Sequence, residues 1–190
     1  MKNEVADKAE RGSIVLETGI VLPIFILVFL FLYGLMFVVS AQNQVTAAMF
    51  QSSKSLSLDP YITEHVDSVQ ESKTFWSGLG SMIEDLVRNS NSKYFASASD
   101  WYSAAGADVT TVAKNRFIGF FAGGDEAAAK EKAKNLGIVG GLNGINISAS
   151  VSGKTLTIDV NYVVQTWFDA FGLGKIPIKQ KYTVTLWGVK

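Results

Sequence analysis

The chain has 190 residues, no cysteine, one histidine, and 17 basic against 17 acidic side chains, so it is long enough for one domain with an appended segment. Because 48% of the residues are hydrophobic and 18% are charged, the composition excludes a disordered chain, and the zero net charge argues against a general nucleic-acid binder. The missing cysteines exclude disulfides and thiolate metal sites, and His65 is the only imidazole, so we expect no metal site and no other cofactor.

The first predicted element is an apolar helix at residues 20–39. Charged residues are frequent up to Glu17, and the next one is Lys54. Nothing within the apolar segment is more polar than Tyr33, and its length is what a helix needs to cross the ~30 Å hydrocarbon layer of a membrane. The sequence therefore predicts a single-pass transmembrane helix, with a helix buried in a protein core as the alternative.

Basic residues indicate the orientation of this segment. Three of them precede it, namely Lys2, Lys8 and Arg11. No basic residue follows until Lys54, and basic residues are retained on the cytoplasmic side, so we expect a cytoplasmic N-terminus and an extracytoplasmic C-terminal region. The alternative is a removed secretory signal, for which the Val-Ser-Ala sequence at 39–41 could be the cleavage site.

The residues that lead into the apolar segment resemble a known processing signal. Residues 11–23 read RGSIVLETGIVLP. This resembles the class III signal of type IV pilins and pseudopilins, in which a prepilin peptidase cuts after a glycine and the fifth mature residue is glutamate. The E-x-x-I-V-L-P run is most similar to the TadE/TadG-like branch of tight-adherence (Tad/Flp) pilus systems.

The resemblance implies cleavage between Gly12 and Ser13, which makes Glu17 the fifth mature residue. The chain is longer than a small Flp-type major pilin, and its mature part begins with Ser instead of Phe, so the resemblance implies a minor pilin or pseudopilin. It also implies four partners: prepilin peptidase, other pilins packed along the N-terminal helix, the inner-membrane pilus assembly platform, and the lipid bilayer.

The chemistry of these residues gives Glu17 and Pro23 expected roles. A carboxylate at the membrane edge of an apolar helix is costly unless a cation pairs with it. In a filament, Glu17 of one subunit could pair with the new α-amine of Ser13 on its neighbour and set the register; alternatively, Glu17 simply lies at the interface with its carboxylate in water. Pro23 cannot donate to the carbonyl of Gly19, so we expect a local kink there.

Helical spacing continues beyond the membrane to Asp59 and Pro60, where we expect the helix to stop. The chain then divides into a cytoplasmic leader peptide at 1–12, a transmembrane and stalk helix at 13–59, and an extracytoplasmic α+β head at 60–190.

Within the head, the sequence predicts one or two amphipathic helices over 61–88 and a solvated helix at 125–136. Residues 89–106 are predicted to form a loop anchored by Trp101 and Tyr102, or alternatively an exposed adhesive surface.

The last third of the sequence changes to a period of two. Alternating apolar residues predict a strand over 145–151, a tight turn at 152–154, a second strand over 156–162, a connection at 168–177 and a third strand over 182–186. The predicted fold class is α+β and pilin-like: a long N-terminal transmembrane and stalk helix, a helical middle region, and a C-terminal three-stranded antiparallel sheet with one face on the N-terminal helix.

We expect a structural protein and not an enzyme. His65 has no partners for a catalytic triad, and the Gly-Leu-Gly-Lys run at 172–175 lacks the spacing and the Ser or Thr of a phosphate-binding loop. The expected function is that of a TadE-like minor pilin or pseudopilin in pilus assembly or capping. The alternative is an unprocessed, signal-anchored extracytoplasmic protein whose head binds a ligand or acts in adhesion.

Overall fold

The computed structural model of the chain describes residues 2–65, 94, 101–102, 108–166 and 174–189, with side-chain surroundings for 17–61 of the first helix. The first helix, α1, runs unbroken over Lys2–His65. The helices predicted over 61–88 lie outside the described residues, apart from 61–65, which belong to α1.

The predicted stop at Asp59 and Pro60 is wrong, because α1 continues to His65. A proline inside a helix removes one backbone hydrogen bond, and its ring crowds the preceding turn. Here Asp59 and Pro60 are both fully buried against the rest of the protein. Tertiary packing of this turn outweighs the local preference that favoured a helix end.

Two further helices are α2, Val109–Ala122, and α3, Glu126–Asn135. The carboxylate of Asp108 caps α2 by accepting from the backbone N–H of Thr110 at 3.1 Å, and Asp125 caps α3 in the same way through Ala127 at 2.8 Å. The prediction of a helix at 125–136 is confirmed. Helix α2 was not predicted from the sequence. A short 3-10 helix, Gly141–Gly144, follows α3.

The C-terminal third forms the predicted antiparallel sheet in the order β1-β2-β3, with β1 at Asn146–Ser152, β2 at Thr155–Gln165 and β3 at Lys175–Thr185. A two-residue turn joins β1 to β2, with Gly153 in the left-handed region at φ +57°. The inward residues of β2 are all buried, namely Leu156, Ile158, Val160, Tyr162 and Val164. The alternation that predicted these strands therefore marks the buried face correctly.

Strand β3 begins earlier than predicted and contains Pro177, which was assigned to the connection. Pro177 lies opposite Val163 of β2. The carbonyl of Val163 accepts from Val139 on the other side of β2, so the nitrogen of Pro177 faces the free edge of the sheet. At the free edge of a sheet the backbone nitrogen has no neighbouring strand to bond, so a proline there breaks no hydrogen bond between strands and is tolerated.

The sheet packs one face on two helices instead of on the N-terminal helix alone. Helix α2 covers β1, while α1 covers β3 and part of β2, and α3 packs against α2 and the 3-10 helix. The stacked rings of Phe117 and Phe121, with centroids 4.9 Å apart, lie within the core. The chain therefore has an α+β head, by which we mean the described residues from Tyr94 onward, built around the second half of α1.

Candidate membrane-inserting helix and its attachment to the head

Residues 20–29 of α1 expose their apolar side chains in every direction. Between residues 20 and 36 the exposed fractions include 58% for Ile20, 63% for Tyr33 and 73% for Met36. Among the described residues, α1 is the one helix long and apolar enough to cross a membrane, and only 6% of its most apolar window is buried. The alternative of a buried core helix is therefore wrong, while a transmembrane segment and an N-terminal signal both remain compatible with this geometry.

The residues predicted to govern processing lie on this helix. Gly12 and Ser13 are within α1, and their side chains lie outside the described part of the chain. Glu17 is exposed and lies one helical turn from Ser13, so both positions share one face of the helix. Pro23 lies inside the helix, which is continuous on both sides of it.

The second half of α1 presents one buried stripe to the head. Its buried apolar members are Val38, Ala41, Val45, Ala48, Met49 and Leu56. Several are small, which allows close packing of neighbouring elements. Serines also belong to this stripe: the hydroxyl of Ser52 donates to the carbonyl of Ala48 at 2.7 Å, and that of Ser57 to Lys54 at 2.7 Å. These serines satisfy their hydroxyls within the helix, which makes their burial tolerable.

A buried ion pair joins the far end of α1 to α2. Nη2 of Arg116 lies 2.8 Å from Oδ2 of Asp59, and the two side chains are 5% and 1% exposed. The indole N–H of Trp101 donates to the same oxygen at 3.3 Å, and Nη1 of Arg116 donates to Ser55. Ser55 and Asp59 are four residues apart and so lie on one face of α1. Trp101 is 3% exposed, which confirms that it anchors the core.

Burial controls the protonation of this carboxyl. Desolvation raises the pKa of Asp59 from 3.8 to about 6, since the charged form loses its water. The Arg116 guanidinium and the hydrogen bond from Trp101 lower the pKa of the same group, but they offset only part of the effect.

Two polar contacts, one from β3 and one from the segment just after it, fix this part of the chain beside α1. The side-chain amide of Gln180 donates to Oγ1 of Thr46 at 2.8 Å, and the backbone N–H of Trp187 donates to the carbonyl of Ser57 at 2.9 Å. Residue numbers thus increase in the same direction along β3 and α1. The start of β3 therefore lies at the end of the head that is nearer the apolar half of α1.

Sequence reasoning missed Asp59 and Arg116 as partners, although a signal exists for both. Apolar residues of α2 recur with helical spacing at Val109, Val112, Phe117 and Phe121, and Arg116 lies on that same stripe. Asp59 likewise lies on the buried stripe of α1. A charge on the apolar face of each of two helices indicates a buried pair, but only the tertiary structure shows that these two meet.

The head also has a groove of about 330 Å³ between α2, the 3-10 helix and β1. Polar side chains on its wall include Lys114, Asn115, Glu126, Asn143 and Asn146. Among the described residues, no three His, Asp or Glu side chains are placed to hold a metal ion.

The chain matches no known protein family, no curated protein and no solved structure. What can be said of its class therefore rests on its own geometry: an α+β head attached to the second half of a long helix, which carries a largely exposed apolar segment at residues 20–39.

Proposed function

We propose that this chain is a membrane-anchored TadE-like minor pilin or pseudopilin, cleaved by prepilin peptidase, that acts in the assembly or capping of a Tad-type pilus or related secretion filament. One observation carries the proposal: α1 is a single helix whose apolar segment is exposed on all sides over residues 20–29 and whose second half is bound to the head along one stripe. Such a helix can be surrounded first by lipid and then by the helices of neighbouring subunits.

In this mechanism, Glu17 sets the register between subunits. Cleavage after Gly12 leaves a cationic amine on Ser13. The carboxylate of Glu17 is exposed on α1, so the Glu17 of one subunit can meet the Ser13 amine of its neighbour. A charge pair is favourable in an apolar surrounding only when its partners approach closely, so pairing favours one stagger of the helices over others. The expected partners remain prepilin peptidase, other pilins, the assembly platform and the bilayer.

The first test is the intact mass and N-terminal sequence of the membrane-extracted protein, expressed with its own prepilin peptidase and with a catalytically inactive form. We expect the chain to start at Ser13 only when the peptidase is active. A start at Met1 in both cases would contradict the pilin assignment, and a start at Gln42 would indicate a secreted domain.

Replacing Glu17 tests the register mechanism. We expect Glu17→Gln, which keeps the side-chain shape and removes the charge, to abolish filament assembly while cleavage and membrane insertion continue. The neighbouring Thr18→Ala leaves the charge in place and serves as the control. Assembly is measured as filament protein in the sheared cell-surface fraction, and normal filament yield from the Gln variant would show that Glu17 does not set the register.

The alternative function is ligand binding by an unprocessed, signal-anchored head, and the polar groove beside α2 is the observation that favours it. Its signature is a chain that starts at Met1 and whose surface function is lost on Asn115→Ala or Asn143→Ala but not on Glu17→Gln. A minor pilin gives the opposite pattern.

A further inference from the structure

One end of the head lies at the same level as the end of the apolar segment. We call it the span-facing end and define it by residues 136–142 and Lys175. The backbone of Gly137 packs against the ring of Phe37, since a β-carbon on Gly137 would lie 2.7 Å from Cε1 of that ring. Phe37 belongs to the apolar segment 20–39. The head therefore begins where the predicted hydrocarbon layer ends, with no intervening stalk.

The position of β3 gives the same level independently. Gln180 contacts Thr46 of α1, and Pro177 and Lys175 precede it along the strand. Five residues of strand extend about 17 Å, a length that corresponds to about eleven residues of helix. Lys175 therefore lies near the level of helix residues 35–37, at the edge of the apolar segment.

The stripe of α1 that faces the head also continues into the apolar segment. Val38 is buried, and one turn earlier Gly34 is buried while Leu30, Phe31 and Phe37 are half-buried. On other faces at the same level, side chains are 50–73% exposed, as for Leu32, Tyr33 and Met36. The attachment of the head is thus continuous with the lipid-facing part of the helix.

The span-facing end carries side chains suited to a lipid surface. Val139 is exposed, and Lys175 and Lys134 are both exposed cations. The two lysines flank the same turn, because the carbonyl of Lys134 accepts from the N–H of Gly137, while the carbonyl of Gly137 accepts from Gln165, the β2 partner of Lys175. Lysines at a membrane interface keep their stems along apolar material and their ammonium groups among the headgroups. Glu131 lies further back on α3.

We propose that the span-facing end of the head docks on the outer surface of the bilayer, with Val139 at the headgroup boundary and Lys134 and Lys175 against anionic lipid headgroups. This inference rests on the membrane insertion of residues 20–39 and does not depend on the pilin identity. Its consequence is a head held at a fixed orientation on the membrane, so that extraction of the helix into a filament must also detach the head from lipid.

The test uses single cysteines in the full chain, which has none of its own. Val139→Cys, Phe29→Cys and Ser152→Cys carry a nitroxide in nanodiscs with and without phosphatidylglycerol. The relative access of oxygen and of a water-soluble nickel chelate reports the depth of each label. Ser152 is the matched control, because it is exposed at the end of β1, beside Thr155 at the opposite end of the sheet, about 30 Å away along β2.

We expect lipid-like access for the label at 29, interfacial access at 139 and aqueous access at 152. An aqueous label at 139 together with a lipid-like label at 29 would overturn the docking proposal and leave insertion intact. An aqueous label at 29 would overturn insertion itself, and the docking proposal with it.

A second variant tests the charge contribution without touching the core. The double change Lys134→Glu and Lys175→Glu should lower the docked fraction at position 139 in anionic nanodiscs, because the ratio of docked to undocked heads falls by about fivefold or more for each lysine lost from the anionic surface. Lys154→Glu, at the exposed turn between β1 and β2, should leave it unchanged. An equal docked fraction in the double variant, or equal effects from the control, would show that these lysines do not contact anionic lipid.

Discussion

Asp59 and Arg116 hold the second half of α1 to α2 through a pair of charges with almost no access to water. Removing two charges from water costs several kcal/mol per ion, and their mutual attraction repays this only when further hydrogen bonds complete the cluster. Trp101 and Ser55 supply such bonds. The pair therefore makes the docking of α1 specific, and each charge depends on the other.

We expect Arg116→Met to lower the free energy of unfolding by about 3–5 kcal/mol, because it leaves the Asp59 carboxyl buried without its cation. The double variant Asp59→Leu with Arg116→Met should recover most of that loss, since it buries no uncompensated charge. Chemical unfolding of the full chain in detergent, followed by circular dichroism, measures both.

Lys114→Met is the matched control, because Lys114 is an exposed cation on the same helix and its change should stay within about 0.5 kcal/mol. A double variant no more stable than Arg116→Met alone would contradict this account of the pair.

The raised pKa of Asp59 makes stability depend on pH. Between pH 3.8 and about 6 the folded protein holds a proton on Asp59 that the unfolded chain releases, so this contribution is full below pH 3.8 and is lost as the pH rises through about 6. Trp101 and Ser55, which also contact this cluster, do not titrate in this range.

Asp59→Asn removes this titration. The free energy of unfolding of the unaltered protein, minus that of Asp59→Asn, should therefore fall as the pH rises from 4 to about 7. Denaturant unfolding of both proteins across this range gives the difference, and a difference that is flat or rises with pH would show that burial does not raise this pKa.

At the scale of elements, the turn after α3 fixes how α1 meets the sheet. Gly137 has φ +66°, and its backbone lies between the ring of Phe37 and the carbonyl of Gln165. Both neighbours would be closer than 3 Å to a β-carbon, at 2.7 and 2.8 Å. The turn thus requires glycine for two reasons: its φ is positive, and a β-carbon would collide with Phe37 and Gln165.

Gly137→Ala should therefore lower the free energy of unfolding by about 2–3 kcal/mol, more than the backbone conformation alone would cost. Gly153→Ala provides the comparison, since Gly153 has a similar φ of +57° but nothing within 4 Å of its β-carbon position, and only about 1 kcal/mol is expected there. Equal losses from the two changes, measured by thermal or denaturant unfolding, would show that the contact with Phe37 contributes nothing.

Most elements could be predicted from local pattern, and the exceptions have physical causes. The strands follow from the alternation of apolar and polar residues, and α3 follows from its capping residue and its helix-forming composition. Both signals depend on residues that are neighbours in the sequence. Helix α2 was missed because an arginine interrupts its apolar stripe, and the end of α1 was misplaced because a proline marked a stop that packing overrides. Pro177 was assigned outside β3 because proline has no N–H to donate and fits a strand only at the edge of a sheet. The sequence does not show which strand is at the edge.

At the scale of the whole molecule, the two halves of α1 face different surroundings. Residues 20–29 have apolar side chains exposed on all sides, and the second half of the helix has one stripe packed on the head. An all-round apolar helix is stable in lipid or against other apolar helices, and in water it would expose a large apolar surface. The molecule as a whole therefore divides near residue 39 into an apolar, largely exposed segment and a helix that is packed on the head.

We expect Phe29→Arg to reduce membrane integration, since Phe29 is 55% exposed on the helix and a central arginine costs about 2.5–3.5 kcal/mol of apparent insertion free energy. Gln42→Arg, exposed just beyond the segment, should integrate normally. The alkali-resistant fraction in membranes measures both, and unchanged integration of Phe29→Arg would exclude a bilayer-spanning role for this segment.

The sequence by itself determined the apolar segment, the three strands with their buried face, and the capped helix α3, because each depends on composition or on periodicity along the chain. Only the tertiary structure decided that α1 continues past Pro60, that the sheet rests on two helices, and that Asp59 meets Arg116. These outcomes depend on contacts between residues far apart in the chain, where burial and packing outweigh local preference. Gly12, Ser13 and Glu17 all lie on α1, and their role in processing and assembly is the prediction to be tested first.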